Sequence, residues 1–328
     1  NRNQPIIGVD HALVPNTFFN RVRLNRNQTF DHRLDAYESV IVMASGTCDI
    51  SVEEQTFAAV GQRPAIFEGK PDSVYVPVGM PVTLTCLSAE AEIFIAGARY
   101  EKQLNPFRIP PEEVEKVQYG SDETKTHRKI LHILGQNAEG RVGRLLVNEL
   151  FTVGAGGWSG FPPHKHDEER EGIETSHEEV YQYRFNPNHG FGAQFLYKKE
   201  DDFGPVHHIK NDSTIIVDKG YHPVVAAPGY EMYYFTILNG LSQRPLKQYF
   251  HPQQEYQVHT IPGLKDLIAA YKCSSRQLYL PPGRVGALRA HEGSHPRPPS
   301  PRRCKVLVNL NALLPQAAAK SYAVAGFN

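Results

Sequence analysis

The sequence lacks the features that would build a membrane anchor, a secreted disulfide scaffold or a cysteine-based metal knuckle. No stretch of its 328 residues approaches the ~18 unbroken apolar residues that a membrane-spanning helix needs. Its four cysteines, Cys48, Cys86, Cys273 and Cys304, lie far apart, without the close pairing of a zinc knuckle or a dithiol redox motif, so a disulfide framework is not expected. The first residue is Asn1, and no basic start leads into an apolar core and a small-residue cleavage site. The expectation is a cytoplasmic protein, or a sequence whose start is incomplete. Net charge is also missing, with 35 basic and 35 acidic residues, but the balance is uneven. Residues 243–328 hold 12 Lys and Arg against 3 Asp and Glu, which leaves 23 against 32 in residues 1–242.

What is present is β-strand signal. Runs such as "SVIVMAS" at 39–45, "SVYVPV" at 73–78, "VTLTCL" at 82–87 and "AEIFIAGA" at 91–98 are short, β-branched and punctuated by Gly, Pro and Asp. Strands at that spacing, with few helical periods, argue for a sandwich or barrel rather than alternating β–α units. Residues 1–100 read as one such unit. Residues 101–126, with "RIPPEEVEKVQYGSDETK", read as a surface linker. Strands resume over 127–242 with "KILHIL", "RLLVNELFTV", "EVYQYRF", "GAQFLYK", "STIIVD", "HPVVAA" and "MYYFTIL", giving a second barrel. At this length two core-forming halves are the first expectation. The remainder, 243–328, is basic and Pro-rich and is expected to be an irregular, poorly ordered extension. Within it, "LKDLIAAY" at 264–271 and "NALLPQAAAKSYAVA" at 311–325 suit short helices.

Chemistry concentrates in the second half. In "FPPHKHD" at 161–167, His164 and His166 stand two apart, so a strand would aim both imidazoles to one side. Glu179 opens the next β-run, and by the same alternation Tyr181 and Tyr183 share its face, while Val180, Gln182 and Arg184 share the other. His222 precedes another run and supplies a fourth ligand. An isolated H-x-H is commonly a surface pair, but its combination with Glu179 and His222 in one half favours a metal site. Imidazole and carboxylate donors suit Zn2+, with Mn2+ or Fe2+ as alternatives, and the absence of cysteine argues against a closed structural zinc site. The acidic segment "DEEREGIETSHEE" at 167–179 reads most simply as a solvated loop. Tyr230, Tyr233, Tyr234 and Phe235 read as barrel core before substrate platform.

At these residues the chain resembles the cupin superfamily and, more narrowly, the bacterial 5-deoxy-glucuronate isomerases of myo-inositol catabolism. "GWSGFPPHKHD", "EEVYQYRFNPNHGFGAQFLY" and "KGYHPVVAAPGYEMYYFTILNG" look like that family's segments in order, and "AIFEGKPDSVYVPVGMPVTLT" at 65–85 looks like its first barrel. The resemblance implies an all-β bicupin, two jelly-roll barrels of which only the second keeps the metal, with His164, His166, Glu179 and His222 at the ligand positions. The 12 residues between His166 and Glu179 are similar to this family and depart from the related 4-deoxy-5-ketouronate isomerases, where the Glu comes sooner. The tail does not follow the resemblance.

The reaction implied is the interconversion of aldose and ketose forms of a deoxy sugar acid, 5-deoxy-D-glucuronate to 5-dehydro-2-deoxy-D-gluconate. It requires a proton to leave C2 and one to reach C1, with the developing negative charge stabilised by a metal. Tyr181, Tyr183 and Glu178 are the acid–base candidates. Lys165, Arg184, Gln194 and Tyr233 are the candidate substrate contacts, although alternation points Lys165 and Arg184 away from the metal. Other readings are a related 4-deoxy-5-ketouronate isomerase, a different metal cupin enzyme such as a dioxygenase, or a non-catalytic sugar-binding bicupin. No membrane partner is expected, nucleic acid is disfavoured because the basic tail lacks interleaved aromatics, and a homo-oligomer is open.

Overall fold

In the computed structural model of the chain, residues 3–154 and 156–274 are described. The first half pairs Thr17–Asn25, Glu90–Arg99, Tyr37–Ser45, Ser73–Val76 and Phe107–Ile109, in that order, into a five-stranded antiparallel sheet. It faces a four-stranded sheet of Thr29–His32, Val82–Cys86, Cys48–Val52 and Gln55–Val60. Between them lies a core that includes Ile41, Met43, Ile50, Leu84, Ile93 and Ile95. The second half repeats the plan. A six-stranded sheet runs Glu115–Tyr119, Arg128–Leu134, Leu145–Thr152, Glu231–Gly240, His177–Asn186 and Thr214–Val217. Its partner sheet runs Gly157–Ser159, Val224–Ala226, Phe191–Phe195 and Val206–Lys210.

The two large sheets also pack against each other. Phe19, Val40, Val42, Phe94 and Ala96 of the first meet Leu131, Val147, Phe151, Tyr233, Phe235 and Ile237 of the second in a continuous apolar layer. Strands buried on both faces carry no alternation of apolar and polar residues. Tyr37–Ser45, His177–Asn186 and Glu231–Gly240 accordingly read as unbroken buried runs. This is the expected pair of all-β barrels, stacked through their broad sheets.

Two stretches differ from the sequence reading. Residues 101–126 are not a bare surface linker: Phe107–Ile109 extends the first barrel's sheet and Glu115–Tyr119 opens the second's. Of the charges that signalled a linker, Arg108, Glu115 and Lys116 lie on these edge strands, and the rest lie on the turns and loops around them. Nor does packed structure stop at 242. Tyr249–Phe250 pairs with His164–Lys165, and Val258, Ile261 and Leu264 are buried in the second barrel's core cluster. Leu264–Ser274 is the helix expected from "LKDLIAAY". The helix expected at 311–325 and the basic Pro-rich stretch at 291–305 lie outside the described residues.

Candidate metal centre

His164 lies on a two-residue strand, His166 follows it, Glu179 projects from His177–Asn186, and His222 sits just ahead of Val224–Ala226. The ligand nitrogens of His164, His166 and His222 all lie within 4.8 Å of one another. The Glu179 carboxylate closes the set, with Oε2 3.0 Å from His166 Nε2 and 3.4 Å from His222 Nε2. All four are buried.

Neighbouring backbone orients two of the rings. His164 Nδ1 lies 3.0 Å from the Pro162 carbonyl and His222 Nδ1 lies 2.8 Å from that of Gly220. A carbonyl can only accept, so each Nδ1 carries the proton and each Nε2 presents its lone pair inward, the arrangement that metal-bound imidazoles use. Gly220 has φ +89°, and a Cβ there would sit 2.3 Å from the Tyr197 carbonyl, so the turn that sets this acceptor needs glycine. His222 Nε2 is buried without a hydrogen-bond partner. An orphaned acceptor among converging donors is what a cation would satisfy.

Protonation preferences agree with a cation site. Burial pushes the His222 imidazole down to about 4 and His164 well below its ordinary range, so both are neutral. For Glu179, burial acts to raise the carboxyl, but the His166 hydrogen bond and charge overturn that and hold it below the usual value. For His166, burial acts downward and the Glu179 hydrogen bond and charge win, raising it. His166 Nε2 and the Glu179 carboxylate thus face each other at 3.0 Å, where a metal would be held by both.

The remaining sequence candidates divide by strand parity. Tyr181 shares the Glu179 face of the same strand, and its ring centroid is 6.1 Å from that of His222. Tyr183 donates to Gln194 Oε1, and Gln194 Nε2 donates to the carbonyls of His222 at 2.7 Å and Pro223 at 3.1 Å. Gln194 therefore holds the His222 loop in place. Burial raises both phenols well above their ordinary range, so they are proton donors rather than bases.

Four candidates lie elsewhere. Glu178 faces the first barrel, where its carboxylate accepts from Asn16 N at 3.1 Å, Asn16 Nδ2 and Thr17 Oγ1, the last two at 2.7 Å. It is no acid–base group for the metal site. Arg184 pairs with Glu92 at 3.0 Å and Asp212 at 2.8 Å, and Tyr233 donates to Glu149 at 2.9 Å, all on the same outward face. Lys165 is taken up by Asp167 at 2.8 Å and Glu174 at 3.2 Å. That last contact also corrects the reading of 167–179 as a solvated loop: Glu174, 1% exposed, accepts from Lys165, Arg170 and two backbone amides and organises the segment from within.

Sequence reasoning missed Gln248, Phe250 and Arg128. Gln248 Nε2 is 3.0 Å from His164 Nε2, and the Phe250 ring stands 5.8 Å from the His164 ring. Both belong to the segment assigned to the irregular tail, so no local signal marked them. Arg128 had one: it opens the strand Arg128–Leu134 at the inward parity shared with Ile130, where a cation is unusual.

The family model described as the KduI/IolB family matches residues 2–257. The chain is 34% identical over 223 residues to a 5-deoxy-glucuronate isomerase of Shouchella clausii, covering 68% of this chain and 80% of that protein. It is 30% identical over 251 residues to one of Halalkalibacterium halodurans, covering 76% and 91%. Among solved structures it superposes on an IolB-like protein from Salmonella typhimurium LT2 with TM-score 0.69 and 29% identity over 74% of this chain and 89% of that one. A variant of Bacillus subtilis oxalate decarboxylase, 12% identical over 79% of this chain and 81% of that one with TM-score 0.52, shares the cupin fold alone. The match runs through both barrels and into the segment that holds His164 in place, and on it this chain belongs to the KduI/IolB family.

Proposed function

We propose that this chain is a divalent-metal isomerase that converts 5-deoxy-D-glucuronate to 5-dehydro-2-deoxy-D-gluconate in inositol catabolism. One observation carries the reading. Three neutral or carboxylate-paired imidazoles and Glu179 converge inside the second barrel, in a chain whose 30–34% identical relatives bear that isomerase name. His164, His166, Glu179 and His222 would hold the metal, and their mixed nitrogen and oxygen donors fit Zn2+, with Mn2+ and Fe2+ as the other candidates. A bound divalent ion would polarise the substrate's carbonyl and stabilise the negative charge that develops between C1 and C2.

The chain's own residues supply position and protons. Tyr181, a neutral phenol beside His222, would keep a proton at its hydroxyl and offer it to a substrate oxygen or to C1. Tyr183 and Gln194 act through the His222 backbone as positioning residues. Gln248, against His164 Nε2, offers an amide to the same space. The apolar and aromatic wall around them excludes water and strengthens each electrostatic contact.

The test is elemental analysis of the purified protein and of His164→Ala, paired with NMR-monitored conversion of 5-deoxy-D-glucuronate. Stoichiometric metal and turnover in the parent, both lost in the variant, is the expected outcome. A metal-free, inactive parent that gains no turnover on added Zn2+, Mn2+ or Fe2+ would sink the reading.

A further inference from the structure

A sugar-acid substrate brings a carboxylate, and the two cations that the sequence offered as substrate contacts are already committed: Lys165 to Asp167 and Glu174, Arg184 to Glu92 and Asp212. Arg128 is different. It is 5% exposed and projects into the second barrel. Its guanidinium donates to Tyr119 Oη at 2.7 Å and Tyr234 Oη at 2.8 Å, and Nε has no partner. Among the described residues it forms no ion pair.

Burying an unpaired guanidinium is costly, and buried charges in folded proteins are as a rule matched by an opposite charge. Two phenols satisfy hydrogen bonds without supplying that charge. The place also fits the metal centre. Tyr234, which holds one arm of Arg128, stacks edge-on against Tyr181 with centroids 5.0 Å apart, and Tyr181 in turn borders His222. Arg128 and the ligand set are thus linked through Tyr234 and Tyr181 in the same barrel interior.

We infer that Arg128 is the anion subsite of this barrel and takes the carboxylate end of the substrate while the metal ligands serve the carbonyl end. This rests on the isomerase reading for the identity of the anion, but the subsite itself stands on the unpaired buried cation. Guanidinium recognises a carboxylate through two parallel N–H donors, and the free Nε–H together with one terminal N–H provides such an edge. Tyr119 and Tyr234 would keep the group oriented before substrate arrives. Arg128 is in this view the residue that selects an acid over the neutral sugar of the same shape.

The experiment compares metal-loaded parent, Arg128→Gln and Arg128→Lys. Calorimetric titration with D-glucuronate and with neutral D-glucose reads the subsite, and NMR-monitored turnover of 5-deoxy-D-glucuronate reads the isomerase function separately. The parent should prefer glucuronate, Arg128→Gln should lose that preference by about 30-fold or more with metal content unchanged, and Arg128→Lys should keep part of it. Should Arg128→Gln fail to fold, Arg128→Lys decides: it keeps the charge but not the paired donors, so undiminished glucuronate affinity overturns the assignment and a severalfold loss upholds it. A parent without acid preference, or an Arg128→Gln protein that retains it, also overturns the subsite. Turnover with an unaltered preference in Arg128→Gln would remove the subsite and leave the isomerase. No turnover, with a preference that depends on Arg128, would remove the isomerase and leave the subsite.

Discussion

Adjacent side chains on one strand do unlike work here. Glu178 and Glu179 are both buried carboxylates on His177–Asn186, yet one closes the metal-ligand set and the other caps Asn16 and Thr17 of the first barrel. Substituting each with glutamine separates the roles. Glu179→Gln removes a charged ligand and should lower metal affinity by at least tenfold, read by competition with a chelator. Glu178→Gln should leave metal binding unchanged and cost roughly 1–3 kcal/mol in urea unfolding, because its amide cannot accept from every donor around it. Equal effects on metal affinity would contradict the assignment. The parity of Glu179, Tyr181 and Tyr183 was legible from the sequence because a pleated strand fixes it. The partners of Glu178 and Tyr233, and Glu92 beside Arg184, were not, because they come from residues more than 80 positions away.

At the scale of elements, the short strand His164–Lys165 depends on a segment that follows the barrel in sequence. Its register partner is Tyr249–Phe250, and His251 N donates to the Pro163 carbonyl at 2.8 Å. Two residues cannot hold a strand alone, so this bridge and the Phe250 ring against His164 supply the order of the strand that carries the first candidate ligand and leads into the second. Phe250→Ala should therefore lower metal affinity by about tenfold, in the range by which supporting groups act on ligated metals, while far-ultraviolet circular dichroism stays unchanged. Parent-like metal affinity in that variant would show that the ligand strand orders itself. Composition marked this segment as tail because it carries little β-period of its own; its strand exists only through pairing with His164–Lys165.

For the whole molecule, the two barrels are joined by a broad apolar layer crossed by a few buried polar ties. Arg63 of the first half meets Glu149 of the second with paired bonds of 2.8 and 2.6 Å, and Glu38 accepts from the backbone amides of Gly143, Arg144 and Leu145. Both Arg63 and Glu149 are almost fully enclosed. Glu149→Ala should destabilise the chain by about 3–5 kcal/mol by leaving Arg63 buried and unpaired, whereas replacing both with apolar residues should cost far less. Urea denaturation of the single and double variants checks this, and a double variant no better than the single one would refute it. The same layer encloses the strand that carries Glu179, since His177–Asn186 is buried on one side by the first barrel and on the other by its own core.

The sequence by itself determined the local and periodic features of this protein: short strands, two β-rich halves, and the spacing and parity that brought His164, His166, Glu179 and His222 forward as ligands. Only the tertiary structure decided which polar side chains face the candidate metal site, which serve the joint between barrels, and that residues 249–250 pair with the strand of His164. Strand alternation assigns a face but not what lies opposite it, and contacts between distant segments arise only when the sheets pack. Arg128 belongs to that second group, since its place beside Tyr119 and Tyr234 depends on three strands meeting around one interior.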